Sequence, residues 1–114
     1  MDINFYNDLD KAKSTFTGNN RIIFGNGFKM QFDTCKVTYT NPNILSYSGN
    51  FPVAFSANPH MFASVLSQDN SFKELSMNVK VNPGKDGFIL RLQSTRGDFG
   101  SGDAYGVTWL AIGV

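Results

Sequence analysis

The stretch YGVTWLAIGV, residues 105–114, decides the fold. As an extended strand it directs Val107 and Trp109 to one side and Leu110 and Ile112 to the other, because successive side chains of a strand alternate. A strand that is apolar on both sides has to be covered on both sides. We therefore expect this stretch to be a central strand of a sheet, or a contact between two copies of the chain.

Length and composition favour one small β-domain. The chain has 114 residues, enough for a single hydrophobic core. Its 11 Phe and 11 Gly residues, with only 17% charged residues, are typical of aromatic strands separated by turns rather than of a helical bundle. A single cysteine, Cys35, excludes an intrachain disulfide and argues against secretion through an oxidising compartment.

The charge pattern excludes several classes of partner. The formal net charge is +1 and no run of Lys or Arg occurs, so we expect neither nucleic-acid binding nor attraction to an anionic membrane. No apolar run approaches the roughly 20 residues of a membrane span. The N-terminus lacks the basic start and apolar core of a signal peptide. These features predict a soluble protein that is made in a cytoplasm and does not insert into membranes.

The first 20 residues differ from the rest. Phe5, Leu9, Ala12 and Phe16 recur at helical spacing, and the Gly-Asn-Asn run that follows can end a helix. This pattern predicts one short helix within residues 1–20. Such a helix is too short to hold a coiled coil alone, but it could extend one. Packing of the helix on its own domain is the alternative.

From residue 21 onward the pattern is that of strands. Residues 28–32 and 35–39 each alternate between apolar and polar, with Asp33 and Thr34 between them. This arrangement predicts a hairpin with a two-residue loop.

The later part of the chain contains further strands and breaks. Residues 47–50, Tyr-Ser-Gly-Asn, break the pattern, and Pro52 makes the next segment an edge strand or an approach segment. Alternation predicts strands over 61–67, 75–81, 88–93 and 105–114. The sequence thus predicts an all-β protein, a small antiparallel β-sandwich of six or seven strands over residues 21–114 with a short N-terminal helix over residues 1–20.

Four short motifs occur in an order that resembles the small C-terminal domain of bacteriophage tail fibre proteins. They are Phe51-Pro52-Val53-Ala54-Phe55, Asn58-Pro59, Gly87-Phe88-Ile89-Leu90 and Trp109-Leu110-Ala111-Ile112-Gly113. The same order resembles the H-type lectins, whose sandwich ends on a comparable Trp-containing strand.

The opening segment is similar to the same family. Residues 26–32, Asn-Gly-Phe-Lys-Met-Gln-Phe, are similar to the family's opening hairpin, in which a Gln is usually followed by Trp-Gly. Here Phe32 and Asp33 follow Gln31 instead. The resemblance extends over about residues 21–114 and consists mostly of structural motifs.

The resemblance implies an assembly and a function. It implies a homotrimer at the distal tip of a virion's tail fibre, attached to other tail fibre proteins. It also implies binding to a bacterial surface receptor, either a glycan or an outer-surface protein. An apolar terminal strand and an N-terminal helix fit burial at a three-fold axis and a junction with a shaft. The family supplies no universal binding residues.

The loop that contains residues 94–104 is the best candidate for a binding site. It combines an Arg, two Asp, an aromatic residue expected to be exposed, and three Gly, and binding residues often lie on such loops. Guanidinium and carboxylate groups hydrogen-bond sugar hydroxyls, and aromatic faces stack on sugar rings. The candidate glycan contacts are Arg96, Asp98, Phe99, Asp103 and Tyr105. The alternative is a solvated Gly-rich turn in which Arg and Asp pair with each other.

Other clusters are weaker candidates. Asp69 and Asn70 are secondary binding candidates, although the pattern is that of an ordinary turn. His60 is the single histidine and has no nucleophile motif beside it, and the chain has too few His and Cys residues for a zinc site. Asp98 and Asp103 alone are few ligands for calcium. We therefore expect no catalysis, no metal and no cofactor.

Three interpretations remain open. The chain can be the receptor-binding tip of a tail fibre, a trimerisation and capping module of such a fibre, or a free lectin similar to the H-type. The missing signal peptide and second cysteine count against the free lectin. Glycan binding by the domain separates the first interpretation from the second.

Overall fold

The computed structural model describes residues 14–16, 20–68 and 77–114. These residues form eight β-strands and no helix, so none of them lies in a helix that could cross a membrane. The strands are β1 (Ser14–Phe16), β2 (Arg21–Phe24), β3 (Lys29–Asn41), β4 (Ile44–Asn50), β5 (His60–Gln68), β6 (Met77–Pro83), β7 (Gly87–Ser94) and β8 (Ala104–Gly113). All the described ladders are antiparallel, which confirms the predicted all-β fold class.

The predicted N-terminal helix is wrong where it can be compared. Ser14–Phe16 is a strand, and Thr15 lies opposite Ile23 of β2. The Ser-Thr-Phe sequence favours an extended backbone, and β2 offers it a partner edge. Residues 1–13 and 17–19 lie outside the described residues, as does the rest of the predicted helix. The predicted boundary at residue 20, between an N-terminal segment and the β-domain, falls between β1 and β2, which pair with each other. The separate N-terminal segment stays a prediction.

The predicted hairpin at Asp33 and Thr34 is also wrong. Both residues lie inside β3, a strand of 13 residues. The strand does not turn because β8 pairs with it continuously from Lys29 to Thr38. On its other edge, between β2 and β4, an Asp33 carboxylate oxygen accepts a hydrogen bond from the Thr34 backbone N–H at 2.8 Å. The Asp33 side chain thus substitutes for a neighbouring strand at a gap in the ladder.

β8 is a central strand, as its two apolar sides predict. It pairs with β3 on one edge and with β5 on the other. Val107, Trp109 and Ala111 are buried on its inner side, whereas Leu110 and Ile112 on its outer side are half-buried. The inner side therefore builds the core, and the outer side leaves an apolar surface.

β4 was not predicted, because residues 47–50 look like a turn. It is nevertheless a seven-residue strand that pairs with β7 along its whole length. Gly49 is required there because a Cβ at this position would lie 2.8 Å from the Phe88 ring. The predicted strands over 61–67 and 88–93 are confirmed by β5 and β7. The predicted strand over 75–81 is confirmed from Met77 onward, its first two residues lying outside the described residues.

The sheet folds over into two facing halves that share β3. One half has the order β1-β2-β3-β8-β5, and the other has the order β4-β7-β6. β3 joins them because its first residues pair with β2 and its last residues pair with β4. β5 and β6 lie close together on the opposite side. The predicted sandwich is thus two facing layers of one nearly closed sheet.

An aromatic cluster joins the two halves. The Phe88 ring of β7 lies 4.8 Å from the Trp109 ring of β8, centroid to centroid. Phe51 contacts both, at 5.2 Å and 5.8 Å, and Phe55 packs edge-on against Phe51 at 4.9 Å. All four rings are buried, and aromatic pairs in such geometries stabilise a core beyond the area that they bury.

A buried glutamine holds the segment that carries Phe51 and Phe55. The Gln31 side chain is fully buried; its amide N–H donates to the Val53 carbonyl at 2.7 Å, and its carbonyl accepts from the Val53 N–H at 2.8 Å. Gln31 therefore pairs with Val53 as a neighbouring strand would. This segment forms no regular strand, which confirms the approach segment predicted from Pro52.

The two ends of the sheet carry different parts of the chain. At the end that we call the β2 end, Lys29 lies in register with Ile23 on one side and Gly113 on the other. The Ser56 N–H donates to the Val114 carbonyl here, at 2.6 Å, so the approach segment closes this end.

The opposite end, which we call the loop end, holds a second set of connections. The β3–β4 turn and the β7–β8 loop lie here, because Thr38 near the end of β3 is in register with Ala104 at the start of β8. Gln68 and Met77, the last and first residues of β5 and β6, pair with Tyr105 and Ser94 at this end. The first strands and the approach segment therefore lie at the β2 end, opposite to the β3–β4 turn and the β7–β8 loop.

Candidate functional site

The β7–β8 loop is anchored to the β3–β4 turn. The Ser94 N–H donates to the Asn43 carbonyl at 2.8 Å, and the Phe99 N–H donates to the Pro42 carbonyl at 3.1 Å. Gly97 between them has a φ of 69°, a conformation that favours glycine. These contacts give the loop a defined shape, as a binding loop on a rigid scaffold requires.

Asp103 is placed inside this loop. Its side chain is 6% exposed, and a carboxylate oxygen accepts a hydrogen bond from the Gly100 N–H at 2.8 Å. The Asp103 N–H donates in turn to the Gly100 carbonyl at 3.0 Å. Asp103 therefore closes a tight turn and directs its carboxylate to the backbone of its own loop.

The two aromatic candidates are buried rather than exposed. Phe99 and Tyr105 are 4% and 2% exposed, and their rings meet edge to face at 6.3 Å. The expectation that Phe99 is exposed is therefore wrong, because its backbone bond to Pro42 turns the segment inward. Tyr105 shares the inner side of β8 with Val107, which alternation alone could have revealed. These two rings therefore belong to the core beneath the loop and not to its surface.

Arg96 and Asp98 remain at the surface and contact each other. The Arg96 Nε lies 3.4 Å from an Asp98 carboxylate oxygen, and the side chains are 66% and 37% exposed. The alternative interpretation of a solvated turn with an Arg–Asp pair describes this geometry. An exposed pair of this kind adds little stability, so its groups can bind a ligand at low cost to the fold.

The secondary candidates Asp69 and Asn70 lie outside the described residues. His60 is exposed at the start of β5 and lies opposite Ile112, near the β2 end. Within the described ranges, no group of three or more His, Cys, Asp or Glu residues could hold a metal ion.

Cys35 is a half-buried thiol at the margin of the core. Burial, and to a smaller degree the nearby Asp33 carboxylate, raises its pKa from 9.0 to about 11. Because the thiolate is the reactive form, this shift makes Cys35 a poor nucleophile at neutral pH. Cys35 therefore behaves as a small apolar side chain packed against the core.

The outer side of the β3-β8-β5 layer forms an apolar face. Phe32, Leu110 and Phe62 lie in one row across these three strands, and Met30 and Ile112 lie in the next row, which ends at the exposed His60 of β5. We call the five apolar residues of these two rows the apolar face. Phe62 is 57% exposed, and a shallow cleft of about 360 Å³ lies around Phe32, Phe62 and Leu110. Contiguous apolar surface of this kind is typical of an interaction site.

The outer side of the β4-β7-β6 layer is different. Its residues alternate with the buried Leu90 and Leu92 of β7 and form what we call the polar face: Ser46, Ser48, Lys80, Asn82, Ile89 and Arg91. Three adjoining clefts of about 520, 430 and 180 Å³ cover this face, and Ile89 lines all three. The sequence pattern did not single out these residues, because only the strand register brings them together.

Comparisons with solved structures identify the fold. An N-truncated R1-type pyocin tail fibre matches 97% of this chain and 94% of its own length, with a TM-score of 0.65 and 17% identity. A C-terminal fragment of the P. aeruginosa R1 pyocin fibre matches 95% of this chain at a TM-score of 0.66 and 20% identity. A C-terminal fragment of the P. aeruginosa R2 pyocin fibre matches 90% of this chain at a TM-score of 0.57 and 14% identity.

The chain spans 30% and 25% of the lengths of these two longer fragments. No protein-family model matches the sequence, and no curated protein is similar to it in sequence. The likeness to H-type lectins stays a prediction. The chain has the fold found in R-type pyocin tail fibres, which confirms in structure the resemblance to tail fibre proteins that its motifs predicted.

Proposed function

We propose that this chain is the receptor-binding tip of a tail fibre of a bacteriophage or a related particle. The observation that carries the proposal is the shared fold, which extends over 97% of this chain and 94% of the truncated R1-type pyocin fibre. The role is adhesion to a bacterial surface receptor, a glycan or an outer-surface protein, without catalysis. The chain would then be part of a virion and attach to other tail fibre proteins.

The positions of the two ends support this role. The first described strands, β1 and β2, lie at the β2 end, whereas the β3–β4 turn and the β7–β8 loop lie at the loop end. A shaft that joins through the N-terminal segment would leave the loop end facing away from the particle. Arg96 and Asp98 would then be the candidate residues best exposed to a receptor.

The apolar face supports assembly of three copies. Its central row, formed by Phe32, Leu110 and Phe62, is continuous with the strand that the sequence predicts to need cover on both sides. In a homotrimer these faces would meet around the three-fold axis and remove the exposed Phe62 ring from water. Three receptor sites on one tip would bind a repetitive surface with greater avidity than one site.

A trimerisation and capping module is the second candidate function. The apolar face favours it as strongly as it favours a receptor-binding tip, because both roles need assembly. Receptor binding separates the two roles, and only the tip has to bind cells.

Adsorption of the labelled chain to a panel of bacterial strains tests the proposal. We expect stable binding to some strains and not to others, because each strain displays its own surface receptor. Competition by unlabelled chain should remove the signal. A folded assembly that adsorbs to no strain in a broad panel would contradict the receptor-binding role and favour the capping module.

A further inference from the structure

The polar face carries two cations directly opposite each other. Arg91 of β7 is in register with Lys80 of β6 on one side and with Ser46 of β4 on the other. Both charged side chains are exposed. None of the four described aspartates forms an ion pair with either of them. The face is therefore positively charged, although the chain as a whole is nearly neutral.

This pair of cations is unfavourable for the fold alone. Like charges directly opposite each other on neighbouring strands destabilise a sheet. A glutamine or threonine at position 80 would build the same strand without the repulsion. Residues that reduce stability in this way are typical of binding sites, where a ligand supplies the missing charge.

The surroundings of the cations can bind a sugar. Thr40 and Ser46 hydroxyl oxygens lie 2.6 Å apart, and Ser48 and Asn82 flank Ile89 in the next row. Hydroxyl and amide groups hydrogen-bond sugar hydroxyls, and an aliphatic side chain can contact the apolar side of a sugar ring. Both cations line the cleft of about 180 Å³, and Arg91 also lines the adjoining cleft of about 430 Å³ with Thr40, Ser46 and Ser48.

From these features we propose that the polar face binds the anionic group, phosphate or carboxylate, of a negatively charged saccharide. Arg91 and Lys80 contact the anion, and the hydroxyl and amide groups of the neighbouring row contact the sugar. Charge-assisted hydrogen bonds from a guanidinium group are stronger than neutral ones, so the anion would dominate the selectivity. This inference rests on the proposed receptor-binding role and specifies the chemistry of the receptor.

The first test is a titration of the isotope-labelled chain, followed by amide NMR shifts, with glucose 6-phosphate, glucuronate and glucose. We expect both anionic sugars to shift the amides around Ser46, Ile89 and Arg91, with an affinity roughly tenfold or more above that of glucose, which corresponds to about 1.4 kcal/mol. The comparison of glucose 6-phosphate with glucuronate distinguishes a phosphate from a carboxylate ligand. Equal responses to all three sugars, shifts elsewhere or no shifts would overturn the proposal.

The double variant Arg91→Gln/Lys80→Gln removes both charges from the polar face. We expect it to lose the preference for anionic sugars while it keeps the fold, and the single variant Lys80→Gln should be at least as stable to heat as the unchanged chain. The matched control is Lys36→Gln/Lys85→Gln, which removes two exposed cations from other surfaces. Anionic-sugar binding that persists in the first variant, or is lost equally in the control, would overturn the proposal.

Cell adsorption separates this inference from the proposed function. Charge-dependent sugar binding in the titration, with adsorption to no bacterial strain, would support the anion site and contradict the receptor-binding role. Equal adsorption of the unchanged chain and the Arg91→Gln/Lys80→Gln variant would overturn the anion site as the receptor contact and leave the receptor-binding role standing.

Discussion

The two outer faces of the sheet differ, although both layers bury the same kind of side chain on the inside. The β3-β8-β5 layer presents Phe32, Leu110 and Phe62 in one row, whereas the β4-β7-β6 layer presents Ser46, Arg91 and Lys80 in one row. Their inner sides meet in one core of aliphatic and aromatic residues.

This difference indicates a division of labour within a small domain. A shared core needs only the inner sides, so the outer sides are free to serve other purposes. An apolar row loses contact with water when another copy covers it, whereas a row of charges and hydroxyls remains favourable in water. We therefore infer that the apolar face serves assembly and that the polar face serves recognition.

Removing Trp109 should have the largest effect, because both faces depend on the core that it joins. Trp109→Ala deletes the ring that contacts Phe51 and Phe88, and we expect it to lower the free energy of unfolding by about 3–5 kcal/mol. Urea denaturation followed by circular dichroism measures this loss. The neighbouring Thr108→Ala should change stability by less than about 0.5 kcal/mol. Similar losses in both variants would contradict the joining role of Trp109.

A charge on the apolar face should abolish assembly without unfolding the subunit. Phe62→Asp places a carboxylate at the 57% exposed ring position, where burial between copies would require its desolvation. Sedimentation velocity should then show the mass of a single chain. The circular dichroism spectrum should be unchanged, because the subunit stays folded. Ser48→Asp, at an exposed position on the outer side of the other layer, is the matched control and should leave the assembly intact. An assembly that tolerates Phe62→Asp would place the subunit contact elsewhere.

The buried Gln31 should be indispensable to the layer that carries the apolar face. Gln31→Leu leaves the Val53 N–H and carbonyl without their partners, and we expect a loss of about 1–3 kcal/mol in the free energy of unfolding. Gln93→Leu, at a half-buried position on the other layer, should cost far less. Thermal denaturation of the two variants under one condition checks this prediction, and equal melting temperatures would refute it.

The two charged groups of the β7–β8 loop should respond differently to alanine. Asp103→Ala removes the acceptor for the Gly100 N–H, so we expect a loss of about 1 kcal/mol in stability. Arg96→Ala removes an exposed ion pair and should change stability by less than about 1 kcal/mol while it reduces adsorption to cells.

Parallel melting and adsorption measurements compare these variants with Asp103→Asn, which keeps an acceptor oxygen. If Arg96→Ala and Asp98→Ala both adsorb as well as the unchanged chain, the loop is not a receptor contact.

The smallest expected effect is a pH dependence from Cys35. Its pKa is raised from 9.0 to about 11 in the folded chain, so between these values the folded state keeps a proton that the unfolded state loses. The contribution is therefore fully present below pH 9.0 and is lost as the pH rises toward about 11. This contribution is small, because the Cys35 side chain is only partly buried. The free energy of unfolding should fall more steeply in this range for the unchanged chain than for Cys35→Ala, and parallel curves would contradict the shift.

The features that the sequence revealed are local. Alternation along residues 105–114 predicted a strand covered on both sides, and β8 is central. The all-β class and three further strands followed from the same pattern. Asp33 and Thr34 are residue types that favour a turn, but pairing with β8, which is distant in sequence, keeps their backbone extended. The Ser, Gly and Asn residues of β4 also favour turns, but pairing with β7 keeps them extended.

The candidate site was less predictable for the same reason. Residue type alone predicted that Phe99 and Asp103 contact a ligand. The hydrogen bond from the Phe99 N–H to the Pro42 carbonyl turns Phe99 inward, and the Asp103 carboxylate instead accepts a hydrogen bond from the Gly100 N–H. The polar face depends entirely on register, because Lys80 and Arg91 become neighbours only when β6 pairs with β7.

The most direct test of the division between the faces is the solution mass of the unchanged chain by light scattering at micromolar concentration. If the apolar face is an assembly surface around a three-fold axis, the mass should be three times the 12.6 kDa of one chain. A stable mass of 12.6 kDa would contradict the account, because the Phe62 row would then remain exposed to water in the working form of the protein.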